Sequence, residues 1–359
     1  MESCGTKTIK VVHLPVYAVN AYQELLMAAL RAQGITVIDG GGGGNFFRTA
    51  LLKWKPGILH FHWLHPYLLR PSVLGSMARA TRFLCEVHTL RLAGIRIVWT
   101  VHNLANHDRR HMRLEKFFTT RFAQCADGVI AHSPTALAAA KEAFQIGGEK
   151  LTAVIPQGSY IGCYPNKITK PECRRQLMLP DDAFVFVLMG RIEPYKGVLD
   201  LIHDFRKLGG AVNLLIAGRV SSPELLKLIH DAINGSANIH LHEGFIPDDR
   251  VQLFLNAADA YVYPVREILN PGSIALAMSF GLPCVAPKLP AVLDAMGEDG
   301  GLLYDLENPD ALVDAMRQAI VQKEELEWMG AVNLAQARER TWEKTGQSTL
   351  QFYKRCLAA

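Results

Sequence analysis

No apolar run in the 359 residues is long enough to cross a bilayer. The longest, residues 185–189 and 257–265, are strand-sized, and Asp259 interrupts the second. A signal-like apolar segment is also missing at the start, where residues 1–7 pass directly into an expected strand at 9–14. The seven cysteines are odd in number, scattered and never spaced C-x-x-C, which excludes a disulfide framework and a cysteine zinc site. Reduced thiols and a cytoplasmic chain are expected. After the first strand, Pro15-Val16-Tyr17-Ala18-Val19-Asn20 holds no glycine, so the fingerprint of a dinucleotide-binding enzyme is absent. Nucleic-acid motifs and stacking platforms are lacking too, and the basic surplus of the first half is not assigned to nucleic acid.

What is present suffices for two cores: 49% of the residues are hydrophobic, over a length that accommodates two domains. The net charge of +4 divides unevenly. Residues 1–165 hold 18 Lys+Arg against 9 Asp+Glu (+9), and residues 166–359 hold 20 against 25 (−5). In the basic half, Arg70, Arg79, Arg82, Arg91, Arg96, Arg109, Arg110, Arg113, Lys116 and Arg121 are interleaved with Phe83, Phe117, Phe118 and Phe122. Such a mixture suits an anionic membrane surface or an anionic acceptor. Solvated helix faces are the plainer reading of the same charges.

Strand-like and helix-like segments alternate throughout. The first half predicts strands at 9–14, 35–38, 58–61, 95–101 and 128–131. Its helices fall at 22–33, 46–54, 68–92 with a break at Pro71, 113–125, and 135–144 behind the Ser133-Pro134 cap. Gly40 to Gly44 predict a mobile loop. Residues 159–172 read as a connection. Strands at 184–188, 213–217, 239–241, 260–263 and 284–286 follow, with helices at 199–207, 223–234, 248–256 and 273–280 and more after Asp310. This alternation predicts an α/β fold with two Rossmann-like domains, 1–165 and 166–335, facing a cleft.

Two clusters carry chemistry. His60, His62 and His65 invite a metal, but no carboxylate or cysteine accompanies them and only His60 and His62 share a strand face, so no metal is expected. The stronger cluster is Met189-Gly190-Arg191-Ile192-Glu193-Pro194-Tyr195-Lys196-Gly197, between an apolar strand and an apolar-periodic helix. It puts two cations at the carboxyl end of a strand, where α/β sheets bind ligands, beside a helix N-terminus. A diphosphate fits such a place.

Further stations follow in order: Leu214-Leu215-Ile216-Ala217-Gly218, His242-Glu243-Gly244-Phe245-Ile246-Pro247, Ala257-Ala258-Asp259-Ala260-Tyr261-Val262-Tyr263-Pro264, and Ala277-Met278-Ser279-Phe280-Gly281-Leu282-Pro283. With the first station they resemble the nucleotide-sugar domain of GT-B glycosyltransferases close to family 4, in its β-mannosyltransferase-like branch. The resemblance covers residues 184–305 and extends to Thr100-Val101-His102-Asn103 in the first half. It implies transfer of a hexose, mannose or glucose, from a GDP- or UDP-sugar to a glycan or lipid-linked glycan in polysaccharide biosynthesis. The donor is a substrate, no cofactor or metal is implied, and the enzyme would be cytoplasmic and peripheral at the inner face of a membrane.

By that resemblance, Arg191 and Lys196 neutralise the diphosphate leaving group. Gly190, Gly218, Glu267, Asn270, Pro271, Gly272 and Ser273 line the donor, and Gly244, Phe245 and Ile246 hold its base. His102 meets the donor sugar. The acceptor side is His62, Asn103 and Arg109, and an inverting enzyme would draw its general base from His102, His62 or Asp108. One pattern is broken: the family's Glu-x7-Glu falls on Ile268 and Leu276, with Glu267 one residue from the first position. That tilts the mechanism towards inversion. It also admits a different class, an inactive homologue serving as scaffold in polysaccharide assembly. Residues 336–359 are implied to be a helix packing back on the first domain.

Overall fold

In the computed structural model, which describes residues 9–18, 20–42, 44–106 and 110–359, strands and helices alternate from end to end. The chain divides into two units. The first comprises residues 1–158 with 341–359, and the second residues 159–340.

The first unit carries β1 (Lys10–Leu14), β2 (Thr36–Asp39), β3 (Ile58–Phe61), β4 (Arg96–Thr100), β5 (Gly128–Ala131) and β6 (Leu151–Val154). They form one parallel sheet in the order β2-β1-β3-β4-β5-β6. The helix Trp342–Ala358 closes the unit by packing on the helix Ala21–Ala32 and placing Phe352, Tyr353 and Cys356 in a core with Val11, Val98 and Ile130. The expected break at Pro71 is real: the helix His65–Leu68 stops, and Val73–Leu92 restarts with Ser72 capping the Gly75 N–H at 3.1 Å. The segment expected as one helix at 46–54 is helical only over Phe46–Thr49 and then widens into a π turn, Ala50–Trp54. The glycine run is anchored where it begins, since Gly41 donates to Asp39 Oδ1 at 2.7 Å and accepts from Val16 N at 2.9 Å.

The second unit carries β7 (Phe184–Met189), β8 (Val212–Gly218), β9 (Ile239–Glu243), β10 (Ala260–Val262), β11 (Cys284–Pro287) and β12 (Gly301–Tyr304), again all parallel, in the order β12-β11-β10-β7-β8-β9. Side chains of β7 alternate between two cores: Phe184, Phe186 and Leu188 enter one, and Val185, Val187 and Met189 the other. A strand covered on both faces must be apolar at every position, which is why β7 reads as an unbroken run. β6 and β12, unforeseen in the sequence, are four-residue strands at sheet edges. Each is held by the one strand it pairs with, β6 by β5 and β12 by β11.

Each sheet has a point where the strand order reverses, between β7 and β10 in the second unit and between β1 and β3 in the first. Such points leave crevices outside the carboxyl ends of the strands.

Candidate active site

At the β7/β10 reversal the chain leaves Met189 through Gly190, whose φ of +116° strains any residue with a side chain. Gly218, at the end of β8, has φ +142°, and a Cβ there would lie 1.9 Å from the Gly190 carbonyl oxygen. The two glycines let adjacent strand ends touch. A Cβ on Gly190 would come 3.5 Å from Lys196 Nζ and 3.6 Å from Ser273 Oγ, so these three residues form one cradle.

Lys196 is only 8% exposed, and burial brings its ammonium down from 10.5 to about 8, against an opposing pull from Glu193. Its Nζ donates to Ser273 Oγ at 3.5 Å. Ser273 in turn hydrogen bonds the hydroxyl of Tyr261, which donates to the Met189 carbonyl at 2.7 Å. Tyr261 is fully buried and so consumes the Ser273 hydroxyl proton, orienting the serine oxygen towards the lysine. Ser273 stands in the first turn of the helix Gly272–Ser279, where the positive end of the helix dipole favours anions. A buried cation, a helix N-terminus and side-chain-free backbone make a receptor for a diphosphate.

Arg191 is exposed and paired with buried Glu193 at 2.5 Å, so it faces a carboxylate, outside the cradle itself. Across β8, the Gly244 amide is spent on the Gly218 carbonyl at 3.2 Å. Phe245, 59% exposed, and half-buried Ile246 remain as apolar surface at the end of β9. On the other side of β7, the segment after β10 carries exposed Glu267 and half-buried Asn270, Pro271 and Gly272, with Gly272 N donating to the Asn270 carbonyl at 2.9 Å. Ile268 and Leu276, where the family has glutamates, pack against the core cluster that includes Val187 and Tyr261.

In the first unit, His62, His102 and Asn103 lie at the carboxyl ends of β3 and β4; Asp108 and Arg109 fall outside the described residues. His62 is buried, and both its ring nitrogens are engaged, with His13 at 2.9 Å and His102 at 3.1 Å. Burial keeps His13, His60, His62 and His102 neutral, pushing each well below the usual histidine range. His60 and His62 share a face, as expected, but β1 adds His13 in register with His60, and ligand atoms of His13, His60 and His62 lie within 4.8 Å of one another. The sequence hides this third histidine because strand order, not local spacing, brings it there. A cavity of about 300 Å³ nearby is lined by His65, Leu69, Arg70, Asn106 and Arg110. Tyr261, Glu193 and His13 are the site residues that sequence reasoning missed.

Residues 169–332 match the family model described as Glycosyl transferases group 1. The chain is 27% identical to GDP-mannose:glycolipid 4-beta-D-mannosyltransferase of Xanthomonas campestris pv. campestris, over 86% of this chain and 82% of that protein. It is 31% identical to O-antigen chain mannosyltransferase B of Escherichia coli over 31% of this chain and 29% of that one. Among solved structures, sucrose-phosphate synthase from Thermosynechococcus elongatus superposes with a TM-score of 0.76 at 17% identity, covering 98% of this chain and 99% of that one. HepE of Anabaena, solved with UDP and glucose, gives 0.72 at 18% identity over 96% and 98%. The chain is therefore a glycosyltransferase of the GT-B fold, a nucleotide-sugar-dependent hexosyltransferase whose group 1 domain spans residues 169–332.

Proposed function

We propose that the enzyme transfers mannose from GDP-mannose to a lipid-linked glycan, with inversion at the anomeric carbon and without a metal. The cradle of Gly190, Lys196 and Ser273 carries this reading, because it supplies a fixed cation and a helix N-terminus where negative charge develops as the nucleoside diphosphate departs. Arg191 adds its charge by exchanging Glu193 for the diphosphate. The Xanthomonas relative named for GDP-mannose and a glycolipid supports the donor and the acceptor class. Glucose from UDP-glucose is the second donor, supported by the Anabaena neighbour solved with UDP and glucose.

Inversion accords with Ile268 and Leu276 packed into a core, where the carboxylates of the retaining pattern have no counterpart. It requires a base on the acceptor hydroxyl. His62 is a poor candidate, since both its nitrogens are occupied. Acceptor binding falls to the first unit, at Asn103 and the cavity bearing Arg70 and Arg110, whose charges suit an anionic acceptor.

Among the described residues no helix is long and apolar enough to cross a membrane. The helices Val73–Leu92 and Met112–Cys125 pack together and expose Val73, Leu74, Met112 and Phe117 near Arg110, Arg113, Lys116 and Arg121. This surface suits peripheral binding to the anionic inner face of a membrane, where a lipid-linked acceptor would be met.

Calorimetric titration with GDP and UDP, repeated with Lys196→Ala, tests the donor assignment. Tight GDP binding weakened by the substitution is expected; binding of neither nucleotide would overturn it.

A further inference from the structure

At the β1/β3 reversal a chain of buried polar side chains runs through the first unit. Thr100 Oγ1 lies 2.7 Å from His60 Nε2, and His60 Nδ1 lies 2.6 Å from the Tyr353 hydroxyl. That hydroxyl lies 3.4 Å from His13 Nε2, His13 Nδ1 is 2.9 Å from His62 Nε2, and His62 Nδ1 is 3.1 Å from His102 Nε2. His13, His60 and Tyr353 are fully buried, and Thr100 and His62 are 1% exposed.

A neutral imidazole has one N–H and one lone pair, so each link dictates the next. Thr100 has His60 as its only side-chain partner among the described residues. Its hydroxyl must therefore donate to His60 Nε2, because the opposite polarity would bury an O–H with no acceptor. His60 then carries its proton on Nδ1 and donates to the Tyr353 oxygen. Tyr353 donates to His13 Nε2, His13 Nδ1–H to His62 Nε2, and His62 Nδ1–H to His102 Nε2. Every donor from Thr100 to His62 is thereby matched to a lone pair.

We propose that Thr100, His60, Tyr353, His13 and His62 form a one-directional hydrogen-bond chain that fixes His102 as its Nδ1–H tautomer. His102 then meets substrate as a hydrogen-bond donor, and it is not the base that takes the acceptor proton. The five residues behind it are positioning residues. Only what His102 touches rests on the proposed function; its tautomer does not. The rings of His62, His132, Tyr22 and Trp63 pack against the His102 imidazole. His132 follows the same pattern, donating from Nδ1 to the Ile155 carbonyl at 3.0 Å.

The test is long-range nitrogen–proton correlation NMR of histidine-labelled full-length protein without substrate. In the wild type, His13, His60, His62 and His102 should each show a protonated Nδ1 and an unprotonated Nε2, unchanged between pH 6 and about 8. Thr100→Val, which keeps the shape and removes the donor, should convert His60 to Nε2–H or to a mixture. Tyr353→Phe should do the same to His13, which gives a second reading if the first variant fails to fold. An Nε2–H signal for His62 or His102 in the wild type would overturn the proposal, as would an unchanged His60 tautomer in folded Thr100→Val. Stoichiometric zinc on the purified protein, lost in His13→Asn, would also overturn it, since a metal would take the lone pairs on which the chain depends.

Discussion

Lys196 Nζ and Ser273 Oγ stand 3.5 Å apart at the point where the strand order of the second unit reverses. One comes from the loop after β7 and the other from the helix after β10, so the sheet itself sets their separation. Holding an ammonium there is costly: the gap between 10.5 and about 8 corresponds to roughly 3 kcal/mol. Lys196→Met should therefore weaken GDP binding at least a hundredfold by calorimetry, yet raise the melting temperature at pH 7.

The same group makes donor binding depend on pH. Below about 8 Lys196 is charged in the free enzyme, and above it the charge is lost, so affinity for the nucleoside diphosphate should fall as pH rises from 7 to 9. Stability should move the other way. Between about 8 and 10.5 the unfolded chain holds the extra proton, so Lys196 contributes a stability that grows with pH across that window. Titrations at several pH values, paired with denaturant melts of wild type and Lys196→Met, would show whether both trends vanish in the variant.

Gly190 and Gly218 should respond differently to alanine. A Cβ at Gly218 collides with the Gly190 carbonyl oxygen at 1.9 Å, so Gly218→Ala should cost about 2–4 kcal/mol of stability. At Gly190 the nearest atoms are 3.5 Å away, and the methyl group would project between Lys196 and Ser273. Gly190→Ala should cost about 1–2 kcal/mol and lose nucleotide binding out of proportion. Denaturant melts and calorimetry on both variants separate the two effects.

Restoring the family's glutamates should not restore the family's mechanism. Leu276 packs against a core, and Leu276→Glu would press a carboxylate into it, costing about 1–3 kcal/mol without raising turnover. A gain in transfer rate, or a retained anomeric configuration in the product by NMR, would contradict the inverting assignment.

Membrane binding should depend on Phe117 and on its basic neighbours separately. Phe117 is 54% exposed, with the Arg121 guanidinium 5.3 Å from its ring centroid. Phe117→Ser should weaken sedimentation with anionic vesicles at any salt concentration, whereas Arg113→Gln with Lys116→Gln should weaken it mainly at low salt. Equal binding of all three proteins would remove this surface from the model of acceptor access.

Much of this was legible in the chain. The strands β3 and β5 lie where local pattern put them, and β7 was legible to within a residue, because an apolar run bounded by glycine or by a helix cap carries its own signal. Lys196 and Ser273 were each visible from motif order. Tyr261, the partner of Ser273, was not, since within an apolar strand a tyrosine reads as core until its hydroxyl is seen to reach Met189. Arg191 was read as a diphosphate ligand, and only the folded loop shows that it rests on Glu193.

By itself, then, the sequence determined the alternation of strands and helices, the glycines that end β7 and β8, and the basic character of the first half, because all of these depend on residues close in the chain. Tertiary structure decided which strands became neighbours. His13 meets His62 across 49 positions, and His60 meets Tyr353 across 293. No periodicity encodes such a meeting. Burial then turned five polar residues into one chain, because a polar group withdrawn from water must find its partner among whatever the fold has placed beside it.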